Sequence, residues 1–173
     1  MSNCVCISTL AAASGSGVIP SGTPAVVIEQ FDTSSAVSHA LYVPTGLIAA
    51  PPHVLYFKNG STYWVIHPDH VSLEAAGAPA AGPTNDCAPA MQRVLDYLAT
   101  VGQAKLQLWE RDYVLQSCAT LTQSNPTTDP LLYFTIQGRG RGVSRLMVQY
   151  VPTPANPPGA FAIVFSSNQS EFV

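Results

Sequence analysis

From Met1 to Phe57 the chain carries only two charged side chains, Glu29 and Asp32, and its first basic residue is Lys58. Such a stretch folds into surface that charge cannot keep apart from other molecules. Contiguous apolar surface of that kind ordinarily marks an interface. Over all 173 residues charged side chains make up 10 %, against about 25 % in ordinary soluble domains. Thirteen of the seventeen charged residues lie from Glu74 onward. The surface hidden from water is therefore expected near the N-terminal end, in an obligate oligomer or a larger assembly.

The same arithmetic removes several classes. A hydrophobic content of 47 % is too high for a disordered chain. Seven scattered Lys and Arg do not build a nucleic-acid surface, so no nucleic-acid partner is expected. No apolar run reaches the ~18–20 residues of a membrane helix, so no membrane insertion is expected. Met1–Ala13 lacks the basic start of a secretory signal.

No motif reads as a cofactor or metal site. Cys4-x-Cys6 is too tight for a zinc knuckle, and Cys87 and Cys118 belong to no CxxC, so free thiols are expected. His67-Pro68-Asp69-His70 is ligand-like in composition, but Pro68 opposes the helix that a pair of histidine ligands needs. It reads as a turn closing a strand. Gly138-Arg139-Gly140-Arg141-Gly142 lacks the dinucleotide spacing and is followed by a strand pattern, so it reads as a turn between strands.

Along the chain, residues 1–24 read as an extended arm, because 11–24 are small residues with Gly and Pro. Residues 25–73 read as a β module. Its clearest signal is Asn59-Gly60, which suits a type I′ turn between Val54–Lys58 and Ser61–Ile66. A two-residue loop there pairs Tyr56 with Tyr63 and Leu55 with Trp64. One face then carries Leu55, Phe57 and Trp64, the other Val54, Tyr56, Tyr63 and Val65. With both faces apolar or aromatic, the hairpin is expected to be covered on both sides. Leu55, Tyr56, Phe57, Tyr63 and Trp64 are accordingly the candidate interface with other chains.

Residues 74–84 read as a linker. A capping α-helix is expected over about 86–101, started by Asn85 or Asp86 and stopped by Gly102, with Met91, Val94, Leu95, Leu98 and Val101 on its apolar face. Short strands follow: Lys105–Leu108, Tyr113–Leu115, Leu131–Gln137, Arg145–Val151 and Ala160–Phe165. The fold class is mainly β, and one helix ahead of a run of strands argues against a doubly wound sheet.

Val71-Ser72-Leu73-Glu74-Ala75-Ala76-Gly77-Ala78, followed by Thr84–Asp96, resembles the opening of pectate-lyase-like right-handed β-helix proteins. There a strand and a Gly-Ala element lead to an Asp-capped helix over the solenoid's open end. Tyr113 sits where that family has a tyrosine opening a strand, and Phe134–Leu146 is similar to its strand, Gly-x-Gly turn, strand segment. The resemblance covers about residues 71–150, and it departs at Trp109-Glu110-Arg111-Asp112, where a Pro-Gly turn is usual. It implies that residues 85–173 are the helix-capped first coils of a right-handed parallel β-helix. A solenoid needs about three stacked repeats, so the chain is expected to be the N-terminal part of a longer protein.

A β-helix start preceded by a small charge-poor β module resembles phage tailspikes and tail-fibre proteins. That resemblance implies a homotrimer, a phage tail or baseplate partner for residues 1–73, and host surface polysaccharide as partner of the downstream β-helix. Three functions stay open at this point. One is a structural virion-anchoring segment. Another is a polysaccharide depolymerase, lyase or glycoside hydrolase, with its active site outside this segment and no catalytic residue among these 173. In that reading Glu110 and Asp112 are solvated turn residues. The third is a carbohydrate-binding module using Trp64, Trp109 or the tyrosines.

Overall fold

A computed structural model describes residues 5–15, 17–82, 84–123, 133–139, 143–149 and 163–167. Strands β1 (Val5–Thr9), β2 (Val26–Gln30), β3 (Ala40–Thr45), β4 (Tyr56–Asn59) and β5 (Thr62–Ile66) form one sheet in the order β1-β2-β3-β5-β4. β1 pairs with β2 in parallel, and the other pairings are antiparallel. A short helix α1 (Leu10–Ala13) follows β1 and packs against β4, the opposite edge strand. There the Asn59 side-chain amide donates to the carbonyls of Ala13 and Gly15. The sheet is thereby curled, with its two edges drawn together.

The expected arm is thus corrected over residues 5–13. Ile7, Leu10 and Ala13 are buried in the core, and a strand with alternating buried positions gains more from pairing with β2 than from staying extended. The hairpin forms, but its turn is Gly60-Ser61. Asn59 pairs with Thr62, Lys58 with Tyr63, Phe57 with Trp64 and Tyr56 with Val65. Every pairing is shifted by two residues from the expected register, so each side chain keeps its expected face. Of Asn59 and Gly60 only Gly60 takes a positive φ, at 59°, so Asn59 stays in the strand instead of entering the turn. Pro44 lies inside β3 opposite Trp64. β2 pairs no further than Tyr42, so no ladder is interrupted on that flank.

The first half of the expected linker lies in the core, while Ala80, Ala81 and Thr84 are exposed. Val71, Leu73, Ala75, Ala76 and Ala78 are buried, as is Glu74. Gly77 turns the chain at φ 87°, and a Cβ there would lie 2.7 Å from Arg93 Nη1 and 2.8 Å from Phe31 Cδ1. Arg93 itself donates to the Ala76 carbonyl at 2.8 Å and lies over the Phe31 ring. Small residues here let the segment run through the core instead of around it.

Helix α2 (Ala88–Val101) buries Met91, Val94, Leu95 and Leu98 as its spacing predicts, while Val101 stays partly exposed. It starts two residues later than expected. Cys87 occupies the cap position without a side-chain bond, and Asp86 Oδ1 accepts the Ala88 N–H at 2.9 Å. Gly102 ends it at φ 78°, its N–H bonding to the Leu98 carbonyl.

Beyond α2, β6 (Gln103–Gln107), β7 (Asp112–Leu115) and β8 (Ala119–Gln123) pair in parallel with β9 (Tyr133–Gln137), β10 (Arg145–Val148) and β11 (Ile163–Ser167), respectively. β8 has no counterpart in the sequence expectation. The ends of the strands expected over 131–137, 145–151 and 160–165 partly lie outside the described residues, as do residues 140–142 of the Gly-Arg tract between β9 and β10. The fold is mainly β with one main helix. One hydrophobic cluster runs from Ile7 of β1 through α2 to Leu121 of β8.

Gly77→Ala combines a left-handed backbone with two close contacts, and it is expected to destabilise the chain by about 1–3 kcal/mol. Urea unfolding measures this; an unchanged midpoint would show that the Phe31–Arg93 contact yields freely.

Candidate functional site

The five candidate interface residues separate into two groups. Leu55, Phe57 and Trp64 are buried in the chain's own core, with Phe57 and Trp64 stacked at 5.8 Å and Tyr42 tilted against Phe57 at 5.5 Å. They are covered by this chain and offer nothing to a partner. Tyr56 and Tyr63 lie on the opposite face, half-exposed, with ring centroids 5.9 Å apart. Lys58 Nζ sits 5.1 Å from the Tyr63 ring centre, and Val65 is half-buried beside them. The alternation thus gives one core face and one amphipathic face, where two covered faces were expected.

The polar centre of the molecule was not foreseen as a unit. Glu74 is only 2 % exposed. Its Oε1 accepts the Tyr113 hydroxyl at 2.7 Å, and that hydroxyl accepts the Trp109 backbone N–H at 2.7 Å. Arg111 Nε lies 3.5 Å from the same carboxylate oxygen. The Arg111 guanidinium also covers the Tyr113 ring at 4.6 Å and donates to the Pro79 carbonyl at 2.7 Å. Burial, and then the adjacent Glu74 carboxylate, push the Tyr113 hydroxyl far above its ordinary range, so it stays a donor. The sequence signal was a lone acid in the apolar run Leu73-Glu74-Ala75-Ala76.

This cluster forms the floor of a cleft of about 360 Å³ lined by Ala36, Val37, Trp109, Glu110, Arg111 and Arg139 as well as Glu74. Trp109 is partly exposed there, whereas Trp64 is core. Glu110 is exposed in the turn before β7. Asp112, at the start of β7, is held by Arg145 through two bonds of 2.6 Å, which keep its carboxyl below the usual range. Its oxygens are engaged, which suits a strut between β7 and β10 and not a proton carrier.

Asp86 performs a similar structural task. Burial opposes its charge, but N–H donors from Gln116 and Ala88 at 2.9 Å and the Ser117 hydroxyl at 2.7 Å hold its carboxyl below the usual value. It ties the start of α2 to the β7–β8 turn. Pro68–His70 forms a 3₁₀ turn directly after β5, with His67 Nδ1 accepting the Asp69 N–H. Burial raises the Cys87 thiol, although Arg111 opposes the shift.

Tyr113→Phe removes the hydroxyl between the Glu74 carboxylate and the Trp109 N–H. It is expected to cost about 2–3 kcal/mol in urea unfolding, because two buried polar groups lose their partner. Asp112→Asn, in an exposed pair, is expected to leave the midpoint nearly unchanged. Equal effects from both would contradict the assignment of the buried cluster as the main polar support.

No family model and no curated protein matches the sequence. Solved structures do match the fold. The gp42 tailspike of Acinetobacter phage vb_AbaP_AS12 aligns over 87 % of this chain and 24 % of its own, with 18 % identity and a TM-score of 0.54. The enzymatically active domain of tailspike protein 4 of bacteriophage CBA120 aligns over 96 % of this chain and 20 % of its own, with 9 % identity and a TM-score of 0.53. The chain therefore spans about a quarter or less of the length of the tailspikes it matches. Its fold is similar to a portion of these phage tailspikes.

Proposed function

We propose that this chain is a structural segment of a homotrimeric phage tailspike. The curled sheet faces the phage tail or baseplate, and α2 caps the first coils of a right-handed parallel β-helix that continues toward host surface polysaccharide. The observation that carries the reading is the pairing of every strand after α2 with the strand three places on: β6 with β9, β7 with β10, β8 with β11. Three strands per turn, stacked in parallel, is the repeat of a β-helix.

Burial supports continuation of the stack. Leu106 of β6 is 0 % exposed, whereas its partner Ile136 in β9 is 41 % exposed. Tyr113 of β7 is buried, while its partner Leu146 in β10 is only half-buried. The second layer thus leaves apolar side chains that another coil would cover. Trimerisation has support in the hairpin face of Tyr56, Tyr63 and Val65, and in apolar residues left at the surface by the charge-poor segment, among them Ile48 at 99 % exposure and Leu47.

A second reading, that the whole protein is a polysaccharide depolymerase, has one support: the second structural neighbour is described as an enzymatically active domain. In this reading the segment positions the catalytic coils and contributes no reacting group. Native mass spectrometry is expected to give a species of three times 18.3 kDa. A stable monomer at micromolar concentration would overturn the trimer proposal for this segment.

A further inference from the structure

The segment 46–55 joins β3 to β4, which run parallel with β5 between them, so it must run back along the sheet. Near its end lies His53, only 3 % exposed. Its Nδ1 accepts the Leu55 backbone N–H at 3.1 Å. Its ring stands edge-on to Tyr97 of α2 at 5.0 Å and to Tyr56 of β4 at 6.1 Å. Tyr97 in turn donates from its hydroxyl to the Ile66 carbonyl at the end of β5, at 3.4 Å. One imidazole thus sits where the crossover, both ends of the hairpin and the helix meet.

We propose that His53 is a proton-operated latch: neutral, it holds the β4–β5 hairpin against α2, and protonated, it releases the hairpin. A proton on Nδ1 would place two N–H donors face to face, leaving the buried Leu55 amide without an acceptor. The groups facing His53 are Tyr56 from β4 and Tyr97 and Asp96 from α2; Asp69 of the 3₁₀ turn acts on Tyr97. The crossover contributes no other titratable side chain. Tyr97, pushed up to about 12 by burial and then by Asp69, stays neutral throughout. Asp96 draws a proton toward His53, but burial outweighs it and lowers the imidazole from 6.5 to about 4.

The sign follows from that direction. The open state takes up a proton below its own value of 6.5, before the closed state does. Closure is therefore fully favoured above pH 6.5, weakens as pH falls, and has lost the whole contribution below about 4. Asp32, Asp86 and Asp112 are all held below 3.8, so they act in a lower window. Release would free the Tyr56 face of the hairpin while leaving α2 on β6 and β8.

Hydrogen exchange of the intact chain between pH 8 and pH 5, corrected for intrinsic rates, tests this. The opening constant of the Leu55 amide should rise about thirtyfold at pH 5, with parallel rises to Ile66 and none at Leu98 in α2. His53→Asn should flatten the profile, because Asn Oδ1 can accept the same i+2 N–H and does not titrate. A flat wild-type profile, an equal rise at Leu98, or an unchanged slope in the variant would each overturn the latch. If the variant fails to fold, an NMR titration of the wild-type His53 ring decides: a midpoint above pH 6 contradicts the proposal.

Discussion

A carboxylate taken out of water costs several kcal/mol unless charge and hydrogen bonds replace its solvent. The chain buries Glu74 and replaces part of that solvent with the Tyr113 hydroxyl of β7 at 2.7 Å and with Arg111, just before β7, whose Nε lies 3.5 Å away; Glu74 Oε2 and Arg111 Nε are left without a hydrogen-bond partner. This pair meets the segment 71–78 where it runs through the core. That route in turn joins the sheet of β1–β5 to α2 and the parallel ladders under one hydrophobic cluster. Asp86 repeats the device at the surface, where one side chain ties the start of α2 to the β7–β8 turn.

Local signals were the legible part of the sequence. The 3.6-residue spacing of Met91, Val94, Leu95 and Leu98 located α2, and Gly102 located its end. The hairpin was legible as a hairpin, and its faces survived a register shift because the pairing moved by two residues. What the sequence did not display was long-range. The Asn59 amide reaches residues more than forty positions away, while the turn itself falls at Gly60-Ser61. Ala11–Ala13 look like loop until β4 is available for α1 to pack on. Glu74 looks like the start of a linker until Tyr113 and Arg111 are seen beside it. Of the candidate interface, Tyr56 and Tyr63 remain; Leu55, Phe57 and Trp64 were apolar because they are core.

The uneven charge distribution now has a structural meaning. Five of the charged residues after Glu74 are used as joints: Asp86 at the helix start, Arg93 on Phe31, Arg111 on Glu74 and Tyr113, and Arg145 on Asp112. The segment before Lys58 uses almost none, and leaves Val18, Val37, Leu47, Ile48 and Val54 at the surface. A stack of strands needs its struts inside each layer. Apolar surface outside is what the proposed junction with other chains would need.

The central proposal is that the three parallel ladders are the three faces of two successive coils of one right-handed solenoid. A cryo-EM or crystal structure of the assembly that contains this chain tests it most directly. The account predicts β6, β7 and β8 as one coil, β9, β10 and β11 stacked on it in register with right-handed winding, and a further coil covering Ile136 and Leu146. Antiparallel pairing of these strands, left-handed winding, or Ile136 and Leu146 facing solvent in that assembly would contradict it.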